Sequence, residues 1–255
     1  MDRDKLRRLF DMTGRVVIVT GGTRGIGRAL AEGYAAAGAA VVVASRKADA
    51  CAATEQHLRA MGGEALGVPT HLGDIAALGA LVERTVDAFG RIDVVVNNAA
   101  TALALPLGAF TAEAWAKSND VNLRGPVFLV QAALPHLKAS RGNVLNVLSG
   151  AAFMFSGNVS LYAGAKSALL AYTRSMAAEF APFGVRANAL APGTTDTDMV
   201  RANPQEAIDV MTSINLLKRM AHPDEMVGPA LLLTSDAGSF ITGQALCVDG
   251  GMVAH

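Results

Sequence analysis

The sequence predicts an α/β protein: a parallel sheet with helices on both faces, formed as one domain. Three observations carry this. Apolar runs of strand length alternate with longer amphipathic stretches from Arg15 onward. The runs are apolar at successive positions rather than at every second one, as in strands covered on both faces. No linker, repeat or low-complexity tract interrupts the alternation. Residues 1–255 therefore read as one domain, with an N-terminal arm over residues 1–12.

Taken in order, VVIVT leads through GGTRGIG into the helical stretch RALAEGYAAAG. AVVVAS precedes a helix through CAATEQHLRAMGG, and EALGVPT precedes LVERTVDAFG. IDVVVNN is followed by a long helical region from about Thr111 to Lys138. NVLNVLS precedes the helix LYAGAKSALLAYTRSMAAEF, VRANALAPG precedes an irregular stretch with short helices, and ALCVDGG is the last strand.

Composition narrows the function classes. The 22 basic and 22 acidic residues balance, which argues against nucleic acid or an anionic membrane as a partner recruited by bulk charge. No apolar run approaches the length of a membrane span, and MDRDKLRRLFDMTG lacks the apolar core of a secretory signal. Cys51 and Cys247 form no motif with each other, so reduced thiols in a cytoplasmic protein are expected. His57, His71, His136, His222 and His255 are scattered without ligand spacing, and no metal site is expected.

Two motifs carry chemistry. TGGTRGIG follows a strand and opens a helix: Gly21 permits the tight turn, Gly25 lets backbone approach a pyrophosphate, and Gly27 allows close packing. The helix N-terminus then offers free N–H groups to phosphate, so dinucleotide binding is expected. At the end of the second strand stands Ser45, not an acid, followed by Arg46, while Arg24 lies in the glycine loop. Two guanidiniums there suit a 2′-phosphate, which selects NADP(H) over NAD(H).

The second motif is Ser149, then Tyr162, then Lys166. Ser149 ends an apolar strand. Tyr162 and Lys166, spaced i, i+4, share one face of a helix. A nearby ammonium favours phenolate, so the pair is expected to bring the tyrosine pKa down towards use as an acid or base. Between the motifs, Asn97 and Asn98 end a strand, and either amide suits fixing the turn or supporting the cofactor loop. Pro126 removes the helical bond to the Asn122 carbonyl, and Gly125 eases the resulting kink.

With these residues assembled, the chain resembles the short-chain dehydrogenase/reductase family, in particular 3-oxoacyl reductases, from about residue 10 to the end. The matching pieces are TGGTRGIG, NNAA, Asn122, Ser149, Tyr162 with Lys166, the PG of APGTTDTDM, and ITGQALCVDGG. The resemblance implies a doubly wound Rossmann domain with a seven-stranded parallel sheet. It implies Tyr162 as general acid/base, Ser149 as the hydroxyl polarising the substrate oxygen, and Lys166 on the nicotinamide ribose. It also implies that the Asn122 carbonyl holds a water linking that lysine to solvent. Pro192, Gly193, Thr195 and Thr197 match the nicotinamide segment. Thr23, Ile26, Asn98 and Ala99 fall on cofactor-contacting stretches.

Two positions depart from the family pattern. Ala100 replaces a common glycine, and His71 stands where an aspartate usually meets adenine, so that contact is assigned to the backbone around Leu72. Substrate contacts are assigned to Ser149, Ala151, Phe155, Tyr162 and Met199, with a lid over about 194–220. Apolar neighbours there favour a hydrophobic carbonyl or secondary alcohol of 3-oxoacyl, steroid or terpenoid type. The alternatives are an NAD-dependent alcohol or sugar dehydrogenase and a non-catalytic nucleotide-binding sensor or scaffold. By resemblance, the helices over 111–138 and 160–182 pair subunits, giving a homotetramer or a dimer.

Overall fold

The computed structural model describes residues 1–154 and 157–253. Seven parallel strands lie in the order β3-β2-β1-β4-β5-β6-β7. They are β1 Val16–Thr20, β2 Ala40–Ser45, β3 Ala65–Pro69, β4 Val94–Asn97, β5 Asn143–Val147, β6 Arg186–Pro192 and β7 Ala245–Val248. The strand order reverses between β1 and β4, which opens a crevice at their carboxyl ends.

Alternate residues of each strand face opposite helical layers. Val17 and Val19 of β1 pack with Leu30, Tyr34, Leu58, Met226 and Leu233. Val16 and Ile18 pack with Leu78, Leu81, Leu129, Leu137 and Met176. The first layer is α2 Gly25–Ala36, α3 Ala48–Ala60 and α10 Val227–Thr234; the second is α4 Ile75–Phe89, α6 Gly125–Ser140 and α7 Ser160–Phe180. Burial on both faces explains why β1, β2 and β4 read as nearly unbroken apolar runs.

Three details depart from the sequence reading. Residues 1–12 contain a short exposed helix, α1 Arg3–Arg8, and end on Met12, which is fully buried. The region 111–138 is not one helix. Helix α5 Ala112–Asn119 passes into a π-turn over Asp120–Arg124, where the Gly125 N–H donates to the carbonyl of Asp120, five residues back. Only then does α6 begin, with Pro126 in its first turn, where a missing N–H is harmless. Gly125 is required for a different reason from the one expected. A Cβ there would overlap the Leu72 carbonyl, so the glycine lets α6 approach the end of β3. Beyond β6 lie two short helices, α8 Asp198–Arg201 and α9 Gln205–Ile214.

Candidate active site

The described site residues sit at or beyond the carboxyl ends of the strands. The first group surrounds the β1–α2 turn. Gly21 has φ of 66°, and a Cβ on it would come within 2.9 Å of Ala99 Cα. A Cβ on Gly27 would overlap both Asn98 Nδ2 and the Gly21 carbonyl. Asn98 closes the turn from below: its Nδ2 donates to the Thr20 carbonyl at 2.9 Å. Thr20, which the motif reading overlooked, is the pivot. Its hydroxyl donates to the Val96 carbonyl at 3.1 Å and accepts from the N–H groups of Asn98 and Ala99 at 3.0 and 3.1 Å. Its signal was its place, a buried hydroxyl at the last position of an otherwise apolar strand.

The turn fits a pyrophosphate. Gly25 has φ of 52°, and no side chain caps the N-terminus of α2, whose N-cap is Arg24. First-turn N–H groups are therefore free of side-chain partners, and the positive end of the helix dipole faces the crevice. Ile26 and Gly27 continue this first turn, and Thr23 Oγ1 donates to Ser45 Oγ at 3.2 Å, joining the turn to the end of β2. Arg46 is exposed beside it. Arg24, in the glycine loop, is exposed as well. Its guanidinium pairs with Asp198 of α8 at 3.2 Å, both side chains about 71% exposed. Leu72 is buried with its carbonyl against Gly125, and His71 Nδ1 accepts from the Gly73 N–H at 3.1 Å.

The second group is the candidate catalytic cluster. Ser149 follows β5 and caps a 3-10 turn, Gly150–Ala152, with Ala151 N–H donating to its Oγ at 3.2 Å. Tyr162 and Lys166 lie one turn apart on α7, and the Lys166 ammonium stands 5.7 Å from the Tyr162 ring centre. Lys166 is buried and donates to the Val147 carbonyl at 2.6 Å. Desolvation lowers its pKa to about 8. Tyr162 moves the opposite way from the expectation drawn from spacing. Burial raises its pKa, while a hydrogen bond with Ser149 pulls against that rise. The ammonium is turned towards the Val147 carbonyl, so burial dominates the phenol in the free chain.

Asn122 is fully buried in the π-turn. Its side chain clasps Thr101, accepting from the N–H at 2.9 Å and donating to the carbonyl at 2.8 Å. Asn97 looks inward instead, donating to Asn146 Oδ1 across β4 and β5 at 2.9 Å. Pro192, the last residue of β6, and Thr195 beyond it are buried, and Gly193 packs against Asp249, where a Cβ would lie 2.7 Å from Asp249 Cα. Thr197 stands over Gly25, its Cγ2 3.0 Å from where a Cβ would be. Ala151 is half-buried and Met199 exposed, whereas Phe155 lies outside the described residues.

Comparison with known proteins agrees with this geometry. A family model described as Enoyl-(Acyl carrier protein) reductase matches residues 21–253. The 3-oxoacyl-(acyl-carrier-protein) reductase of Synechocystis sp. is 38% identical over 249 residues, which cover 95% of this chain and 98% of that protein. The L-rhamnose 1-dehydrogenase (NAD(P)(+)) of Azotobacter vinelandii is 35% identical over 255 residues, covering 94% and 97%. Among solved structures, a 3-oxoacyl (acyl-carrier-protein) reductase from Agrobacterium tumefaciens with NADP bound has a TM-score of 0.90 at 37% identity, covering 96% of this chain and 97% of that one. With glycine turn, sheet order and relatives in agreement, the chain belongs to the short-chain dehydrogenase/reductase family of nicotinamide-dependent oxidoreductases.

Proposed function

We propose that this chain is an NADP(H)-dependent oxidoreductase that interconverts a carbonyl and a secondary alcohol, with Tyr162 as the proton carrier. One observation carries the reading. Ser149, Tyr162 and Lys166 arrive from two elements at one place, with the Ser149 hydroxyl beside Tyr162 and the buried Lys166 ammonium 5.7 Å from the tyrosine ring centre. A bound nicotinamide supplies the hydride, or accepts it. Ser149 donates a hydrogen bond to the substrate oxygen, where negative charge develops during reduction. Tyr162 gives its proton to that oxygen in reduction and removes it in oxidation. The Lys166 ammonium offsets the charge left on Tyr162. With a pKa near 8, Lys166 also passes a proton at neutral pH. Because the Asn122 side chain is committed to Thr101, its main-chain carbonyl holds the far end of that relay.

Ser45 in place of an acid, followed by exposed Arg46 and with Arg24 in the glycine loop, supports NADP(H). The hold of Asp198 on Arg24 favours NAD(H) as the second reading. Residues 194–220 act as the lid. Phe153, Met154 and Val159, half-buried beside the catalytic turn and helix, with exposed Met199, favour an apolar substrate. Leu161, by contrast, is buried in the core. Trp115, Phe128 and Tyr172 stand exposed on α5, α6 and α7, which supports a homotetramer built on those helices. Two thiols without a shared motif suit the cytoplasm.

The test is a carbonyl panel of acyl thioesters, steroids, sugars and terpenoid ketones, followed by loss of NADPH absorbance. Tyr162→Phe is expected to lower kcat by about 10²–10⁴ while NADPH still binds. Undiminished turnover in that variant contradicts the reading.

A further inference from the structure

The residue after Ser149 is glycine, and the space beside it is occupied. A Cβ on Gly150 would overlap the terminal methyl of Met252, with Val253 Cγ2 3.6 Å and Met252 Sδ 3.9 Å away. Gly150 opens the one-turn 3-10 helix that Ser149 caps. A side chain from the far end of the sequence thus rests on the turn that orients the serine hydroxyl.

The segment carrying Met252 is tightly folded. The Asp249 carboxylate accepts from the N–H groups of Gly251 and Val253, each at 2.9 Å. Gly250 and Gly251 have φ of 66° and 81°, a conformation open to glycine. The same five residues touch two other parts of the site. Asp249 fills the space beside Gly193 in the segment after β6. The Gly250 carbonyl accepts from the N–H groups of Leu216 and Leu217 at 2.8 and 3.2 Å. The Leu216 side chain lies over Gly251, where a Cβ would come within 2.8 Å.

We propose that Asp249–Val253 is a strut of the active site and that Met252 is a positioning residue for Ser149. Its methyl seats the Gly150 turn, while Asp249 meets Gly193 and Gly250 and Gly251 meet the end of the 194–220 segment. The proposal rests on Ser149 being the group that polarises the substrate oxygen. A glycine turn has no side chain of its own to lock it, so packing from outside sets its position. Methionine suits this because it fills irregular space without demanding one rotamer. Shortening it frees the turn and lets Ser149 sample other rotamers. A misplacement of about 1 Å in such a group lowers turnover by up to about a hundredfold.

The experiment compares Met252→Ala, Met252→Leu, Gly150→Ala and the double variant Gly150→Ala/Met252→Ala with wild type and Tyr162→Phe. Acetoacetyl-CoA and cyclohexanone serve as carbonyl probes. NADPH affinity is read by fluorescence and folding by melting temperature. Met252→Ala is expected to lower kcat by about ten- to a hundredfold, with NADPH affinity and melting temperature close to wild type. Met252→Leu should retain most activity. Gly150→Ala should push the flexible Met252 methyl aside and so reproduce part of the Met252→Ala loss, and the double variant should be no worse than Met252→Ala alone.

Unchanged kcat in Met252→Ala overturns the proposal, as does a loss matched by equal losses of NADPH affinity and melting temperature. Independently of turnover, crystals grown with NADP⁺ should show Ser149 in one rotamer in wild type and in several in Met252→Ala. A single unchanged rotamer in both overturns it. Full activity in Tyr162→Phe would count against Tyr162 as proton carrier, while the Ser149 rotamers still decide the role of Met252.

Discussion

Beside Gly21 and Gly27 a single added methyl has nowhere to go, whereas around the 194–220 segment whole apolar side chains stand in solvent. The nucleotide end is backbone packed on backbone: Gly21 against Ala99, and Gly27 against Asn98 and the Gly21 carbonyl. Helix α8 in the segment after β6 is held differently, by the surface pairs Arg24–Asp198 and Arg201–Asp196, and only the far end of the segment, where Leu216 is 75% and Leu217 63% exposed, rests on Gly250 and Gly251. Contacts of the first kind tolerate no substitution. Contacts of the second kind are weak and exchangeable. That division suits a site in which one ligand is met by rigid backbone and the other by an adaptable surface.

The sharpest way to break the comparison is Gly27→Ala. It forces Asn98 off the Thr20 carbonyl and crowds the turn. Overpacking and a lost buried bond together destabilise the fold by about 2–4 kcal/mol, read as a lower urea midpoint with NADPH binding lost. A midpoint and affinity equal to wild type would show that the turn is softer than its contacts suggest.

Lys166 tests the boundary between the two ends. Its folded pKa, about 8, lies below the ordinary 10.5. Between those values the unfolded chain holds a proton that the folded chain has released, so stability rises with pH across that window. Wild type should therefore gain up to about 3 kcal/mol relative to Lys166→Met between pH 7.5 and 10.5. Parallel urea titrations of the two proteins check this. Flat differences would place the ammonium in contact with water.

Smaller effects belong to the exposed arginines. Arg46→Asp should weaken NADPH binding by about 1.5–3 kcal/mol with little change for NADH, measured by titration of both cofactors. Tighter NADH than NADPH binding by wild type would overturn the cofactor choice. Smallest of all, Asp198→Ala should change folding stability by less than about 1 kcal/mol, because both partners of its ion pair are exposed. It should also free Arg24, so NADPH affinity is expected to rise. A stability loss well beyond that would make the segment part of the rigid end.

What the sequence made legible was local. The central strands β1, β2 and β4 declared themselves by nearly unbroken apolar runs, and TGGTRGIG lies on a strand, a turn and a helix start, all within a few residues. The pair Tyr162 and Lys166 was readable because i, i+4 spacing fixes a shared face whatever surrounds it. What surrounds it was not readable. Burial raises the Tyr162 pKa, and the Val147 carbonyl that takes the Lys166 ammonium comes from another element. Pro126 signalled a break, but the π-turn depends on Gly125 meeting Leu72, 53 positions earlier in the chain. Asp198 could not be foreseen beside Arg24, since 174 residues separate them.

The central claim is that the lysine ammonium governs the proton affinity of the tyrosine once the cleft is at work. The most direct measurement is the pH profile of kcat in the alcohol-oxidising direction, for wild type and Lys166→Met. Oxidation needs the phenolate, so the rate should climb with pH through the apparent pKa of the cluster. Removing the ammonium should move that climb to higher pH. A profile in the same place in both proteins would contradict the account.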